Sequence, residues 1–471
     1  MPFAHTPRPE ILKSLADVKF LPFWMDYKDR PKLVSALTES IKADLCIIGA
    51  GFTGLWSALL AKESDPSLDV VLLEATETGN GASGRNGGFV SASLTHTFQN
   101  GLERWPQELA TLIKMGHDNL NAIEETVKRF NIDCDFIRSG ELNVATEPYQ
   151  LENMREEKED SAPYGENMQL FDQEQVRVLV NSPLFLGGIL NPANAMVNPA
   201  RLVWGLRRAC LSLGVRLFER TQATGLEEEA YGVVVRTQYG KVHAKKVALA
   251  TNAFPPLLKR LKHYVIPVYD YALMTEPLTS EQRSSIGWQG RVGLSDSANQ
   301  FHYSQITPDG RILWGGYDAV YHWNNGFGPE LETDFESFGR LADHFLQVFP
   351  QLEGLRFTHA WGGAIDTCSR FIAFWGKAFG GKLAYALGYT GLGVGASRFG
   401  AQVMLDLLDR KDNERTRLKM VREKPLPFPP EPVRSLAVNL TRWSMDQADR
   451  NEGKRNLWLK LLDATGLGFD S

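Results

Sequence analysis

The sequence lacks several features that would place it in other classes of protein. No apolar stretch of the 471 residues is long enough to span a membrane, and the first residues carry no apolar segment of a secretory signal. We therefore expect a cytoplasmic protein. The net charge is −5 and no block of basic residues occurs, which argues against a nucleic-acid partner.

Cysteine is also scarce and histidine is scattered. The four cysteines, Cys46, Cys134, Cys210 and Cys368, lie far apart and match no disulfide or metal-binding spacing. The nine histidines show no pair at the helical spacing of metal ligands. We therefore expect a reducing compartment and no metal site. Oligomeric state is left open.

Residues 44–74 carry the most informative motif. An apolar run ends in Gly49-x-Gly51-x-x-Gly54, an apolar helical segment follows, and a second apolar run closes on Glu74. Glu74 lies 20 residues after Gly54, where a ribose-binding acid is expected. The pattern predicts a strand, a phosphate-binding turn and a helix that hold an adenine dinucleotide. The alternative is a glycine-rich turn in an ordinary βαβ unit.

Each position of this motif has a physical reason. Gly49 permits the tight turn, Gly51 lets a pyrophosphate approach the backbone, and Gly54 lets the helix pack close to the strand. The free N–H groups and the positive dipole end of the helix attract phosphate. Glu74 would accept hydrogen bonds from ribose hydroxyls and repel a 2′-phosphate, which argues against NADP.

Two further glycine-rich segments indicate contact with a large ligand. In residues 79–93, Arg85 and Asn86 precede Gly87 and Gly88, and Arg85 could neutralise a phosphate. In residues 383–409 a strand, a glycine loop and a helix follow one another, without an acid at the dinucleotide spacing. This helix would direct its N-terminus at an electron-rich ring edge. Plain turns are the alternative for both segments.

The remaining chain gives a coarser prediction. Residues 1–40 indicate an ordered extension, 102–130 one or two helices, and 198–213 a helix capped by Asn198. Alternating aromatic stretches between 259 and 355 indicate antiparallel strands. A terminal helix near 438–463 is expected to dock through Leu457, Trp458 and Leu461.

The order of these segments resembles the FAD-dependent D-amino acid oxidase superfamily. The matching pieces are DLCIIGAGFTG, VVLLEA, GNGASGRNGGFV, VALATNAF, VYDYALMTEPL, DGRILWGGYD, THAWGGAID and ALGYTGLGVG, which together span most of the chain. GASGRNGG, TEPL and WGGAID are most similar to the γ-glutamylputrescine oxidoreductase branch and the related aminophosphonate oxidoreductases.

The resemblance implies a mixed α/β and α+β fold. A Rossmann-like FAD-binding domain of the glutathione reductase type is expected over 41–140, 195–258 and 356–415. An antiparallel-sheet substrate domain is expected over 141–194 and 259–355. Residues 1–40 would be an N-terminal extension, and 416–471 a proline-rich connector with a C-terminal helix.

The resemblance also implies which residues bind the cofactor. Gly49, Gly51 and Gly54 would hold the pyrophosphate, Glu74 the ribose, and Ala223 the adenine. The rest of the expected cofactor set is Phe52, Thr53, Ala75, Ala82, Ser83, Arg85, Asn86, Gly87, Gly88, Thr251, Asn252, Gly388, Thr390, Gly391 and Gly393.

The sequence departs from the family pattern at three places. A T-P-D-G-x-P stretch of several relatives reads here Thr367-Cys368-Ser369-Arg370-Phe371. The place of a flavin-bearing cysteine falls near Gly362, so we expect noncovalent FAD, and Cys368 is the alternative attachment point. Where small-amino-acid oxidases hold the substrate carboxylate with an arginine, residues 303–305 have none, which weakens the case for a simple α-amino acid.

The implied reaction depends mainly on the cofactor. Flavin N5 accepts a hydride from the carbon beside a neutral amine, and water hydrolyses the resulting imine. O₂ or another electron acceptor would reoxidise the flavin. The expected substrate pocket contains His302, Tyr303, Trp361 and Tyr269, with His302 helping to deprotonate the ammonium. Aromatic residues that alternate along strands are, however, more often core.

The expected function is therefore that of an FAD-dependent amine or amino-acid oxidase or dehydrogenase with a small-molecule amine as partner. Two alternatives stay open. One is an NAD-dependent dehydrogenase that uses only the first glycine motif. The other is a flavin-bound sensor or scaffold without catalysis. In that case amines would never bleach the bound flavin.

Overall fold

The computed structural model describes Phe3, residues 6–288 and residues 290–468. In these residues the strands are β1 (Ile41–Ile48), β2 (Val70–Leu73), β3 (Phe89–Ser91), β4 (Glu141–Ala145), β5 (Gln169–Asp172), β6 (Gly187–Asn191), β7 (Asn194–Met196), β8 (Arg216–Phe218), β9 (Ala223–Glu229), β10 (Gly232–Thr237), β11 (Lys241–Leu249), β12 (Ile266–Thr275), β13 (Gly293–Asp296), β14 (His302–Ile306), β15 (Ile312–Gly316), β16 (Val320–Tyr321), β17 (Phe357–Thr367), β18 (Phe374–Ala378) and β19 (Leu383–Leu387).

The α-helices alternate with these strands. They are α1 (Phe52–Ser64), α2 (Phe98–Arg104), α3 (Leu109–Arg129), α4 (Pro148–Ser161), α5 (Gln173–Leu179), α6 (Pro199–Ser212), α7 (Ser280–Ile286), α8 (Phe335–Val348), α9 (Gly393–Leu408), α10 (Glu414–Arg417), α11 (Lys419–Arg422), α12 (Val433–Arg450) and α13 (Leu457–Ala464).

The first sheet is the predicted dinucleotide-binding sheet. Its order is β18-β19-β11-β1-β2-β8, with β9 and β10 attached to β11. From β19 to β8 neighbouring strands run parallel. The apolar run of β1 is buried from Leu45 to Ile48, as expected for a central parallel strand covered on both faces. Helices α1, α6 and α9 cover one face.

Helix α6 shows how local sequence sets an element. Asn198 precedes it in an extended conformation, and its side-chain oxygen accepts a hydrogen bond from the Arg201 N–H at 3.1 Å. Pro199 follows at the first helical position, where no N–H is needed. The predicted cap is confirmed. The structure also contains strand β9 and helix α8, which the sequence did not indicate.

The second sheet has the order β16-β12-β15-β14-β13-β4-β6-β5, with β17 also paired to β12. Its pairings are antiparallel, as predicted, except that β13 runs parallel to β4. Helix α8 packs against its back face through buried residues such as Phe338 and Phe345. An apolar core therefore separates this face from solvent.

Strand positions bear on the proposed domain ranges. β17 pairs with β12 in the second sheet from Phe357 to Thr367, whereas the resemblance implies that residues 356–415 belong to the FAD-binding domain. The long β12–β17 ladder makes this segment part of the second sheet. The other boundaries stay a prediction.

The C-terminal segment differs from its prediction. Two helices, α12 and α13, occupy the expected place of one, and Asn456 caps the second through the Leu459 N–H. Leu457 and Leu461 are 87% and 54% exposed, whereas Leu459 is 1% exposed. The docking contacts of α13 are therefore made by Leu459 and by the predicted Trp458, whose N–H donates to the Thr441 hydroxyl at 2.9 Å, whereas the predicted Leu457 and Leu461 are exposed.

Candidate active site

A cavity of about 1260 Å³ is lined by residues of both sheets. Typical small-molecule pockets measure about 300–1,000 Å³, so this one has room for a large ligand and a second molecule. Most of the predicted residues line it, namely Gly49, Gly51, Phe52, Thr53, Glu74, Ala75, Ala82, Ser83, Arg85, Asn86, Gly87, Ala223, Thr251, Asn252, Tyr269, Tyr303, Trp361, Thr390, Gly391 and Gly393. Gly54, Gly88, Gly388 and His302 are not part of its wall.

The first glycine motif forms the turn between β1 and α1. Gly49 has a φ of +101°, and Gly51 is the residue before the helix. A Cβ atom on Gly54 would lie 1.8 Å from the Gly49 carbonyl oxygen, so only glycine allows α1 to pack this closely. The helix N-terminus consequently faces the cavity, where its dipole favours an anion.

Glu74 lies where β2 ends, beside this turn. Its carboxylate accepts hydrogen bonds from the N–H groups of Ala50, at 2.9 Å, and Thr76, at 3.0 Å. Burial raises the pKa of Glu74. The side chain is thus fixed next to the dinucleotide turn, as a ribose-binding acid must be.

The loop that carries Arg85 is tied to the second sheet. Arg85 forms an ion pair with Glu332 at 2.8 Å and donates to the carbonyls of Gly362, at 3.0 Å, and Asn80, at 2.6 Å. The sequence predicted that Arg85 could neutralise a phosphate. Here Glu332 balances its charge and the guanidinium fixes the loop, while contact of Arg85 with a phosphate stays a prediction.

Two indole groups clamp the same loop. Trp24 of the N-terminal extension donates to the Asn86 carbonyl at 3.0 Å, and Trp361 of β17 donates to the Arg85 carbonyl at 2.8 Å. The Asn86 side chain bonds within the loop, to Ala82 at 2.9 Å and Gly88 at 2.8 Å. The hydrogen bonds of Trp24, Trp361 and Asn86 together fix the loop backbone that faces the cavity.

The second glycine loop joins β19 to α9, and Asp366 holds it. The Asp366 carboxylate accepts hydrogen bonds from Gly388 N–H at 2.6 Å and Tyr389 N–H at 3.2 Å. Burial raises the pKa of Asp366 to about 7. The loop presents Thr390 and the start of a 16-residue helix to the cavity. This helix end suits negative charge on a ring edge.

His96 lines the cavity near this loop and was not predicted. Its φ is +73°, an uncommon value for a residue with a side chain. Burial lowers the pKa of His96 to about 4. A hydrogen bond with the Thr390 backbone acts in the opposite direction and offsets only part of this shift. The imidazole is therefore neutral at pH 7. Nothing in the sequence around it, SLTHTFQ, signals this position.

Asp270 and Tyr303 form a hydrogen-bonded pair in the wall contributed by the second sheet. The Tyr303 hydroxyl donates to the Asp270 carboxylate at 2.6 Å, and the Tyr271 N–H donates to it at 2.9 Å. Burial raises the pKa of Asp270 to about 7. A carboxyl group poised at this pKa can bind a cation or accept a proton near neutral pH. The sequence signalled Tyr303 but not Asp270.

His302 is a correction to the predicted pocket. Its ring stacks with Trp314 and Tyr317, with centroids 4.8 and 5.2 Å away, and bonds Asp296 at 2.6 Å and His344 at 3.0 Å. The side chain is 1% exposed. Since successive strand residues point to opposite faces, His302 enters the core under α8 while Tyr303 faces the cavity.

Tyr269 lines the cavity, but its hydroxyl is already engaged. It donates to the Gly328 carbonyl at 3.3 Å and accepts from the Gly328 N–H at 3.1 Å. Its position is consistent with a ring that packs against a ligand while the hydroxyl fixes the loop before α8. Trp361 likewise lines the cavity with its ring, while its N–H donates to the Arg85 carbonyl and fixes that loop.

The C-terminal helices form a further part of the wall. Residues of α12, together with Trp458 and Leu462 of α13, line the cavity. The Trp458 N–H donates to the Thr441 hydroxyl at 2.9 Å and joins the two helices. Helices outside both sheets therefore cover the site, which the sequence did not predict.

These features fit a flavin adenine dinucleotide. A glycine turn under a helix N-terminus is suited to a pyrophosphate, Glu74 to a ribose, and the α9 N-terminus to an electron-rich ring. Within the described ranges no group of three or more His, Cys, Asp or Glu side chains is arranged to hold a metal ion. Over the same residues, no helix has both the length and the apolar character needed to cross a membrane.

Comparison with known proteins agrees with this geometry. Residues 44–407 match the DAO family model, described as FAD dependent oxidoreductase. The chain is 33% identical over 388 residues to the γ-glutamylputrescine oxidoreductase of Escherichia coli strain K12. The alignment covers 80% of this chain and 86% of that protein. It is 27% identical to the oxidoreductase OrdL of Haemophilus influenzae, over 82% of this chain and 87% of that one.

Solved structures share the fold. The crystal structure of glycine oxidase from Geobacillus kaustophilus superposes with a TM-score of 0.67 at 19% identity, covering 81% of this chain and 99% of that one. L-proline dehydrogenase from P. horikoshii superposes with a TM-score of 0.65 at 17% identity, covering 80% and 96%. Both support the same two-sheet architecture.

Proposed function

We propose that this chain, which belongs to the DAO family of FAD-dependent oxidoreductases and is therefore an enzyme that uses FAD, oxidises a C–N bond of an amine or amino-acid-like substrate. The family assignment removes the alternative of an NAD-dependent dehydrogenase. The substrate and the role of each side chain are the parts proposed here.

The observation that carries the proposal is the Asp270–Tyr303 pair. It lies in the wall of the cavity that also contains the dinucleotide turn. An alkyl amine is an ammonium ion at neutral pH and must lose a proton before the neighbouring C–H bond can be oxidised. A carboxylate near pKa 7 both attracts the ammonium and accepts that proton.

The side chains then act around a cofactor that supplies the redox chemistry. When bound, FAD would supply the hydride acceptor for oxidation of the substrate carbon. The predicted cofactor residues would hold it, and Asp270 would take up the ammonium proton while Tyr303 fixes the carboxylate. Aromatic rings of Tyr269 and Trp361 would hold the substrate chain. Hydrolysis of the product imine by water completes the reaction.

Noncovalent attachment of FAD is part of the proposal. The position expected for a flavin-bearing cysteine falls near Gly362. The nearest candidate thiol, Cys368, is 0% exposed and donates to the Ile372 carbonyl at 3.1 Å. Burial raises the pKa of this thiol, which makes it a poor nucleophile.

The electron acceptor is proposed to be O₂. The chain is 21–23% identical to sarcosine oxidase subunit beta from two bacteria, which supports an oxidase reaction. Stoichiometric hydrogen peroxide for each amine consumed would be the expected result. Amine-dependent bleaching without peroxide in air would instead require another acceptor.

An anaerobic reduction assay tests the proposal. The purified holoenzyme is mixed with γ-glutamylputrescine, putrescine, sarcosine or 2-aminoethylphosphonate, and the oxidised flavin spectrum is followed. We expect γ-glutamylputrescine to bleach it, in line with the 33% identical relative. A flavin that none of these amines bleaches, although dithionite does, would favour the sensor or scaffold alternative.

A further inference from the structure

Helix α12 presents one face to the cavity. Val438, Thr441, Arg442 and Met445 all line it, and their three- and four-residue spacing places them on the same side of the helix. The helix lies beyond residue 407, where the family match ends. A segment outside the matched family region thus contributes a cation to the site.

The guanidinium of Arg442 has no hydrogen-bond or ion-pair partner among the described residues, and its side chain is half-buried. The other arginines of the wall are engaged. Arg85 pairs with Glu332, and Arg434 donates to Asn325 at 2.6 Å and to the Pro429 carbonyl at 2.9 Å. Arg442 is therefore the wall arginine that can bind a ligand anion.

The position of Arg442 is fixed from both ends of α12. Arg434, 1% exposed, anchors the start of the helix. Asp449 anchors its end by accepting hydrogen bonds from the Asn299 and Gln300 N–H groups at 2.9 and 3.1 Å. With a rise of about 1.5 Å per residue, Arg442 lies about 12 Å and about 10 Å along the axis from these anchors. The backbone from which the Arg442 side chain extends into the cavity is thus fixed.

From this arrangement we infer that Arg442 binds a carboxylate at the end of the substrate remote from the reacting amine. The inference rests on the proposed function and specifies its substrate class. Asp270 provides an acidic group for the ammonium, and Arg442 provides a planar donor for a carboxylate. Arg442 would also supply the cation for a substrate carboxylate that residues 303–305, which contain no arginine, do not provide.

Two probes that differ in a single group test the inference. The first probe, N-glutarylputrescine, has a primary amine at one end and a carboxylate at the other. The second probe is the corresponding primary amide, in which an uncharged carboxamide replaces that carboxylate. Wild-type enzyme should prefer the acid in kcat/KM by about 10- to 100-fold, the value of a hydrogen bond to a charged group. Arg442→Gln should remove this preference by lowering kcat/KM for the acid alone.

Two further variants complete the design. Arg442→Lys keeps the charge without the planar fork, so it should recover part of the preference. Arg450→Gln changes an exposed arginine of the same helix, which pairs with Asp446 at 3.1 Å, and should leave the preference unchanged. The inference is overturned if wild type does not prefer the acid, or if Arg442→Gln lowers kcat/KM for both probes alike.

A binding measurement separates this inference from the proposed function. Glutarate, which has no amine to oxidise, is titrated into the oxidised holoenzyme while the flavin spectrum or the melting temperature is followed. Its affinity should fall about 10- to 100-fold in Arg442→Gln. If no amine reduces the wild-type flavin but glutarate binding still depends on Arg442, the proposed reaction fails and the anion site stands. Equal glutarate affinity in both proteins overturns the anion site.

Discussion

Replacing Asp270 with asparagine should make the protein more stable at alkaline pH and less active. Asparagine has nearly the same shape, and its side chain can still accept from the Tyr271 N–H and donate to the Tyr303 hydroxyl oxygen. The substitution therefore removes the titrating group while it keeps the packing. A gain in stability combined with a loss of activity is typical of a strained functional group.

The magnitude follows from the pKa. Burial raises the pKa of Asp270 from 3.8 to about 7, so the folded protein retains a proton that the unfolded chain has released. Stability consequently falls as pH rises from about 4 to about 7 and stays low above that. At 1.36 kcal/mol for each pH unit, the charged Asp270 costs at most about 4 kcal/mol. Asp270→Asn should recover this amount above neutral pH and nothing below about pH 4.

Urea unfolding of the apoprotein and the holoenzyme at about pH 5 and about pH 8 measures the difference. The control is Asp133→Asn, because the Asp133 side chain is 89% exposed. The reduction rate with γ-glutamylputrescine should drop by roughly 100-fold or more in Asp270→Asn and should lose its rise near pH 7. Equal stability differences at both pH values would refute the burial argument, and a full reduction rate would refute the proton-accepting role.

Two structural predictions concern packing. Gly54→Ala should push α1 away by about 1 Å, because its Cβ would lie 1.8 Å from the Gly49 carbonyl oxygen where real contacts exceed 3.0 Å. FAD occupancy, read from visible absorbance, should fall, whereas Gly225→Ala, with its nearest atom at 3.8 Å, should keep it. Leu459→Ala should destabilise the protein by about 2–5 kcal/mol, and Leu457→Ala by less than about 0.5 kcal/mol. Full occupancy in Gly54→Ala, or equal melting temperatures for the two leucine variants, would contradict these assignments.

The dinucleotide half of the site could be predicted because its constraints are local in sequence. Gly49, Gly51 and Gly54 act within one turn, and β1 and β2 are continuous apolar runs because both faces are covered. The N-cap of α6 is likewise set by Asn198 and its immediate neighbours. Where a few adjacent residues determine the backbone, the pattern is visible without the fold.

The substrate half depends on contacts between distant segments and could not be predicted in the same way. His302 and Tyr303 are adjacent, and only the register of β14 with β15 and the position of α8 decide which one faces the cavity. Asp270 has no distinguishing neighbour in its strand. Its raised pKa results from burial, and the Tyr303 hydroxyl that bonds it comes from a residue 33 positions away.

The division between the two halves also bears on how substrate choice can differ within one family. The cofactor turn, Glu74 and the α9 loop lie inside the matched region 44–407, whereas Arg442 lies on α12 beyond it. The contacts that anchor this helix through Arg434, Asp449 and the Thr441–Trp458 bond involve no strand of the first sheet. The proposed carboxylate site at Arg442 and the dinucleotide turn are therefore carried by separate segments, although Asp270 and Tyr303 lie inside the matched region. On this basis, substitutions on the cavity face of α12 should alter substrate preference while leaving FAD binding intact.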